Sequence, residues 1–528
     1  MDADTIYERR WRILAVTCLS LVLVVVSVSS LNVALPTMQR QLNASASDLQ
    51  WIVDSYALVF AGLLLPAGAL GDRFGRKKAL QLGLVLFAVA AGLGSLAENP
   101  TTVIIFRSLM GVGAAFIMPA TLSTITHSFP AHERTKAIAI WTGFAGAGGA
   151  IGPVTSGLLL EEFDWPSVFL VIIPFAALAL VAGLWIVPNS KDPESSPLDF
   201  GGALLSMGGL LALLYAVIEG PEVGWLSLET LGLFGVAVAL LAGFVVWELR
   251  IPHPMLDPRL FRNRAFSVGS LTITLSFFAM FGMFFLLTLY LQFVQGHSPL
   301  AAGIRTLPMA GALILVAPRS AVLVAKVGSR PVMVAGMFIM SAGLFTFLAY
   351  APDTDYAFIA LSLVLMAAGM GLLMPPSTSA IVASVPAAKA GVGSAMNDLT
   401  REVGGAVGIA VMGSVVSSAF RSSINSDLGA LPAAAAERAE ESIGAALGVA
   451  STLDGAAAEA LVAAADSAFA DALGVSMLVA GVVVVVGGLV ALLFMPPGVY
   501  EPDESWEEEE ASPDGALPGA PTPEHEGA

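Results

Sequence analysis

Acids and a guanidinium stand in stretches otherwise suited to hydrocarbon. Asp54 lies in "LQWIVDSYALVFAGLLLPAGAL" (Leu49–Leu70). Asp398 and Glu402 lie four apart in "NDLTREVGGAVG" with Arg401 between them, and Arg107 opens "RSLMGVGAA". A charge at membrane depth costs a few kcal/mol or more and marks a functional site by default. The chemistry open to such a carboxyl group is exchange: desolvation favours the neutral acid, whereas a bound cation favours the carboxylate. Proton and cation then expel one another. At i,i+4 spacing Asp398 and Glu402 share a helix face, and two acids in one cavity make a protonatable pair. The competing reading is a structural Asp398–Arg401 ion pair. For Asp54 it is a wet outer interface, or hydrogen bonds to Tyr56 and the backbone.

The elements that must position these groups are membrane helices. The chain has 528 residues, 56% hydrophobic and 12% charged, with mean hydropathy +0.81. A water-soluble fold cannot hide that much apolar surface. Crossing the hydrocarbon core takes about 20 apolar residues. Fourteen such runs occur, near 13–35, 49–70, 78–97, 102–125, 135–159, 166–187, 198–219, 229–249, 266–292, 303–325, 331–350, 357–383, 392–419 and 472–495. None alternates apolar with polar as an outer-membrane barrel does, so the expectation is an all-α membrane protein. The first run is too long, and too poor in cleavage signals, for a removed signal peptide. The lone Cys18 excludes an intrachain disulfide and a thiolate metal cluster.

The net charge of −17 belongs to appendages. The tail 496–528 is Pro-rich and acidic without a Lys or Arg, and is expected to be a disordered cytoplasmic segment. The Ala-rich insert 420–471 carries acids against only Arg421 and Arg438. Its two runs of high helix propensity predict an external helical hairpin. Without these segments the body is nearly neutral. Assigned to alternate sides, 17 Lys and Arg fall on the side of the N-terminus (1–12), against four on the other, Arg40, Arg305, Arg421 and Arg438. The positive-inside rule then makes both termini cytoplasmic, as an even number of spans requires.

Between the second and third runs stands "GALGDRFGRKKAL" (Gly68–Leu80). Small residues let helix ends approach closely, and an Asp there can cap a helix N-terminus or pair with a nearby base. With Gly68, Asp72, Arg73, Gly75, Arg76 and Lys77 the stretch fits G-x-L-x-D-R-x-G-R-[KR], and the chain so resembles the major facilitator superfamily. Further resemblances follow in the family's order. "RSLMGVGAA" is similar to the motif with an intramembrane arginine implicated in proton transfer, here Arg107, with Met110 where Gln is usual. "GGAIGPVTSG" resembles the antiporter motif through Gly148, Gly152, Pro153 and Gly157, with Ser156 in place of one Gly. Glycines four apart give a smooth packing stripe, and Pro153 breaks the local hydrogen-bond ladder. "AKVGSRP" (Ala325–Pro331) looks like a decayed copy of the first motif lacking its Asp, as a transporter of paired bundles would carry.

The resemblance covers about residues 10–495 and narrows to the fourteen-helix drug:proton antiporter group, which includes quaternary-ammonium exporters. It implies six-helix bundles over 13–187 and 266–495, with an inserted pair over 198–249 opened by "PLDFGGALL" (Pro197–Leu205). It also carries drug recognition and proton coupling onto Asp54, and acids of matching position onto Asp398 and Glu402. Ser27 stands where some relatives place an acid in the first helix. Asn32, Tyr56, Tyr290 and Gln292 are polar candidates for the cavity, and the Met- and Phe-rich ninth run is a candidate lining.

The implied function is export of hydrophobic, cationic small molecules in exchange for protons, from a monomer in lipids of the plasma (inner) membrane. Neither enzymatic activity, nucleic acid, metal nor cofactor is expected, and no P-loop G-x-x-x-x-G-K-[ST] occurs. The alternative is a dedicated exporter of an endogenous lipid, antibiotic or siderophore.

Overall fold

The computed structural model describes residues 3–498 except 43, 45, 191–198, 253, 387–388, 426–427 and 429–430. The described residues form helices and connections, with fourteen helices long and apolar enough to cross a membrane. The first bundle comprises α1 (Ala3–Leu42), α2 (Ala46–Phe74), α3 (Arg76–Gly94), α4 (Pro100–Ser128), α5 (Ala131–Glu162) and a broken sixth span, α6 (Pro166–Leu170) with α7 (Ile172–Ile186). The inserted pair is α8 (Phe200–Val223) and α9 (Leu228–Glu248). The second bundle comprises α10 (Arg264–Leu289), α11 (Pro299–Arg305) with α12 (Leu307–Val327), α13 (Ser329–Phe345), α14 (Tyr356–Ala383), α15 (Ala390–Ile424) and α18 (Ala456–Phe494).

Local chemistry sets several starts. Asn99 accepts from the Thr102 amide at 3.0 Å, with Pro100 in the first turn of α4. Asp199 accepts from the Gly202 amide at 2.8 Å, and Ser227 from the Thr230 amide at 3.1 Å. Each satisfies an amide that the helix cannot.

The two bundles are repeats of one arrangement. The packing of α2 on α4, α3 on α4, α1 on α5 and α3 on α7 recurs as α12 on α14, α13 on α14, α10 on α15 and α13 on α18. Between bundles, α5 on α12 mirrors α15 on α2. The repeat extends to single glycines. A Cβ on Gly83 would meet the Gly113 oxygen at 2.7 Å, and one on Gly336 would meet the Gly369 oxygen at 2.6 Å. Both sites require backbones closer than any side chain allows. The decayed motif is a structural copy as well. Gly75 (φ 112°) precedes Arg76, whose amide donates to Ser190 O at 2.9 Å; Gly328 (φ 84°) precedes Ser329, whose amide donates to Gly498 O at 2.8 Å.

The inserted pair sits beside the seam where α2 meets α15, with α8 packed on both. Trp51 pairs with Tyr215 at 5.6 Å between ring centroids, and the Trp225 indole donates to Ser414 Oγ at 2.9 Å.

Two stretches differ from expectation. Residues 3–12 continue α1 rather than forming a separate terminus, with Arg10 paired to Glu133 at 2.6 Å. The hairpin expected over 420–471 takes another form. Its first arm is two short helices, α16 (Ala433–Ala439) and α17 (Ile443–Ala450), and its second is the opening part of α18 itself. Ala-rich helix propensity carries straight into the apolar span with no breaker between them. The acidic tail lies outside the described residues from 499 onward.

Candidate substrate and proton site

The motif Gly68–Lys77 closes one face of the molecule across the two bundles. Asp72, 4% exposed, accepts from Arg76 Nε and from the Gly391 amide, both at 2.9 Å, and from the Val392 amide at 3.2 Å. Lys389, in the capping position of α15, supplies no side-chain cap, so an acid from the other bundle caps that helix instead. An anion at a helix N-terminus meets unpaired amides and a favourable dipole. The glycines make the approach possible: a Cβ on Gly68 would meet Gly391 O at 2.6 Å. Gly75 turns the chain at positive φ, and Lys77 Nζ donates to Leu184 O at 2.7 Å. Arg73 lies with its guanidinium 5.6 Å from the Phe74 ring centre. In the second repeat Ala325 occupies the place of Asp72, so this device is one-sided.

The Gly-Pro motif of α5 lies along two neighbours. Gly148 and Gly152 face α1, where Ser30 Oγ donates to Gly152 O at 3.0 Å, and a Cβ on Gly148 would meet Val25 Cβ at 3.0 Å. Gly157 faces the second bundle, 2.6 Å from Leu300 Cδ1 by the same measure, and Pro153 packs on Gly303. The motif thus lies between α1 of its own bundle and the second bundle.

About two turns into α15 from the end that Asp72 caps, the helix carries Asp398 and Arg401 into the seam. Arg401 Nη1 stands 3.6 Å from Asp398 Oδ1, with the side chains 6% and 1% exposed. The Arg401 Cζ lies 4.9 Å from the Trp141 ring centre on α5 and 5.5 Å from that of Phe277 on α10. Arg401 Nε and Nη2 and Asp398 Oδ2 complete no hydrogen bond. Asn397 donates to Asp398 Oδ1 at 3.3 Å and accepts from Thr378 at 2.9 Å, which fixes the acid's orientation. Glu402 follows one residue on, half-buried.

Arg107 is buried in α4 rather than lipid-facing, 1% exposed. Its Nε donates to Ile52 O at 3.1 Å and its Cζ lies 4.4 Å over the Tyr56 ring. Tyr56 Oη and Arg107 Nη2 complete no hydrogen bond. Asp54 is half-buried on α2, two residues before Tyr56. Ser27 is buried and donates to Val24 O at 2.8 Å.

The remaining candidates scatter. Tyr290 is not in this seam. It is fully buried at the far end of α10, donates to Ala351 O at 2.5 Å, and pairs with Tyr350 at 5.5 Å between ring centroids. It stands in a π-helical turn, Tyr290–Val294, with half-buried Gln292. The side chain of Asn32 lies outside the described residues. Phe277 belongs to the Met- and Phe-rich ninth run named as a candidate lining, whereas Trp141 carried no signal in the sequence beyond being an aromatic in an apolar run.

The family model described as "Major Facilitator Superfamily" matches residues 17–409. The chain belongs to this superfamily. Among curated relatives, the "Tetracenomycin C resistance and export protein" of Streptomyces glaucescens is 33% identical over 96% of this chain and 95% of its own. The "Multidrug efflux pump LfrA" of Mycolicibacterium smegmatis is 37% identical over 91% of this chain and 95% of its own. Among solved structures, that of the proton:xylose symporter XylE superposes with a TM-score of 0.60 at 18% identity, over 94% of this chain and 99% of that one. The fold of two six-helix bundles with an inserted pair is therefore a major facilitator fold, and the protein is a multi-pass membrane transporter.

Proposed function

We propose that this transporter is a proton-coupled efflux antiporter that exports hydrophobic, cationic compounds by alternating access. The observation that carries the reading is the buried Asp398–Arg401 pair set against Trp141 and Phe277, with Glu402 beside it, where the two bundles meet. A cavity with carboxylates and aromatic faces favours lipophilic cations without demanding one shape, because ion pairing and cation–π attraction both strengthen in low dielectric. Relatives named for multidrug efflux and antibiotic resistance support the same reading.

In this account Asp54, Asp398 and Glu402 alternate between proton and cargo, and Arg107 holds Tyr56 and the backbone of α2 in register. Asp72 and its neighbours latch the cytoplasmic face, and Gly148, Gly152, Pro153 and Gly157 let the bundles slide. Both termini are cytoplasmic, the membrane is the plasma (inner) membrane, and the working unit is a monomer.

The test is ethidium uptake into everted vesicles driven by an imposed pH gradient. Uptake that collapses with a protonophore and in Glu402→Gln is expected; uptake indifferent to the gradient would refute proton coupling.

A second reading, a dedicated antibiotic exporter, is favoured by the tetracenomycin relative and by Ser27 in place of a first-helix acid. Asp54→Asn distinguishes them. Loss of ethidium efflux with neutral-substrate efflux retained supports the first reading, and loss of neither supports the second.

A further inference from the structure

Arg401 occupies a position that resembles a bound ligand's more than a structural ion pair's. Its guanidinium lies over two aromatic rings from two other helices, Trp141 of one bundle and Phe277 of its own, beside a carboxylate 3.6 Å away. That separation is longer than a hydrogen bond. A guanidinium has five N–H donors, yet Nε and Nη2 complete no hydrogen bond although the side chain is 6% exposed. The partner is half satisfied: Asp398 Oδ1 accepts from Asn397, but Oδ2 completes no hydrogen bond. A buried arginine that served only to brace helices would be expected to use its fork bidentately. The rings, by contrast, are well held: the Trp141 indole is fully buried and donates to Thr121 Oγ1 at 3.3 Å.

We infer that Trp141, Phe277 and Asp398 form the seat for the substrate's cationic centre, and that the Arg401 guanidinium fills this seat when no substrate is bound. The inference rests on the reading of the protein as a cation exporter and names the subsite that reading requires. The seat offers two aromatic faces and one acid but few hydrogen-bond acceptors. A quaternary ammonium or phosphonium has no N–H group to satisfy, so it meets every interaction the seat provides. The guanidinium leaves donors unmet and is the poorer occupant by that amount. It persists through its tether to α15, which gives it a high effective concentration. Substrate binding is then a displacement, and it breaks a contact between α15 and α5, that is, between the two bundles. A neutral hydrophobic compound has no such advantage.

The experiment uses the full-length purified protein in nanodiscs, with tetraphenylphosphonium as the probe and neutral triphenylphosphine oxide as its control. Arg401→Gln removes the tethered occupant. It is expected to bind tetraphenylphosphonium about 10-fold tighter than the wild type, which is 1.4 kcal/mol at 25 °C, while triphenylphosphine oxide shifts by less than about 2-fold. Trp141→Leu, which leaves an apolar side chain without a π face, is expected to weaken tetraphenylphosphonium binding about 10-fold in either background. Arg401→Gln binding the cation no tighter than the wild type, with neutral binding intact to show a folded site, would overturn the proposal. Should that variant not fold, Trp141→Leu decides alone: unchanged cation affinity overturns it. A wild type that neither binds nor exports tetraphenylphosphonium would instead refute the export reading itself, a separate outcome.

Discussion

Asp72 of α2 and Gly391 of α15 are joined across the two bundles: the carboxylate accepts the Gly391 amide at 2.9 Å, and the glycine has no Cβ because the acid stands where one would go. One acid thus joins the two bundles at this face, and the repeat copy of its loop, with Ala325 in the same place, supplies no second latch. Opening this face requires uncapping α15.

Neutralising that acid loosens the closed face. A charge-assisted hydrogen bond is worth about 1.5–3 kcal/mol, so Asp72→Asn shifts the closed-to-open ratio by roughly 10- to 100-fold. In a Cys18→Ser background, a cysteine placed at buried Ala395 reports this through maleimide labelling. Faster labelling in the Asp72→Asn protein is the expected result, and an equal rate would show that the carboxylate does not hold the face shut.

The glycine pairs that bring α3 to α4 and α13 to α14 set a stability contrast. Gly336→Ala drives a methyl into the Gly369 oxygen, and overpacking of this kind costs about 1–3 kcal/mol. Gly311→Ala meets nothing within 4 Å and gains helix propensity of about 0.5–1 kcal/mol. Thermal unfolding in detergent should therefore fall for the first and hold or rise for the second. The reverse order would place the close approach elsewhere.

Tyr290 is expected to act on stability alone. Tyr290→Phe removes the donor to Ala351 O at a cost of about 1 kcal/mol, lowering the unfolding temperature with cation affinity unchanged. A tenfold loss of affinity at unchanged stability would put Tyr290 back in the cavity.

Much of this architecture was legible in the sequence because it is written locally. A run of apolar residues names a span wherever it falls, and Asp72 announced itself by standing with glycines and bases in one short loop. The repeat was visible in "AKVGSRP" and is now seen in matching turns at Gly75 and Gly328. What stayed hidden depends on pairing between distant segments. Trp141 and Phe277 come together only because α5 and α10 both meet α15 at Arg401. Tyr290 looked like a cavity residue by polarity, but the chain folds Ala351 and Tyr350 back onto it. The 420–471 stretch has helix propensity throughout, and propensity alone does not say where one helix stops and the membrane span begins.

The central claim is that cation and proton compete for the same acids, and proton release on binding tests it most directly. Purified protein in weakly buffered solution with a pH-indicating dye is titrated with tetraphenylphosphonium. The wild type is expected to release protons as it binds, with affinity weakening as pH falls, and a protein carrying Asp54→Asn, Asp398→Asn and Glu402→Gln is expected to release none. Undiminished release from that triple variant, or wild-type binding with no release at any pH, would contradict the account.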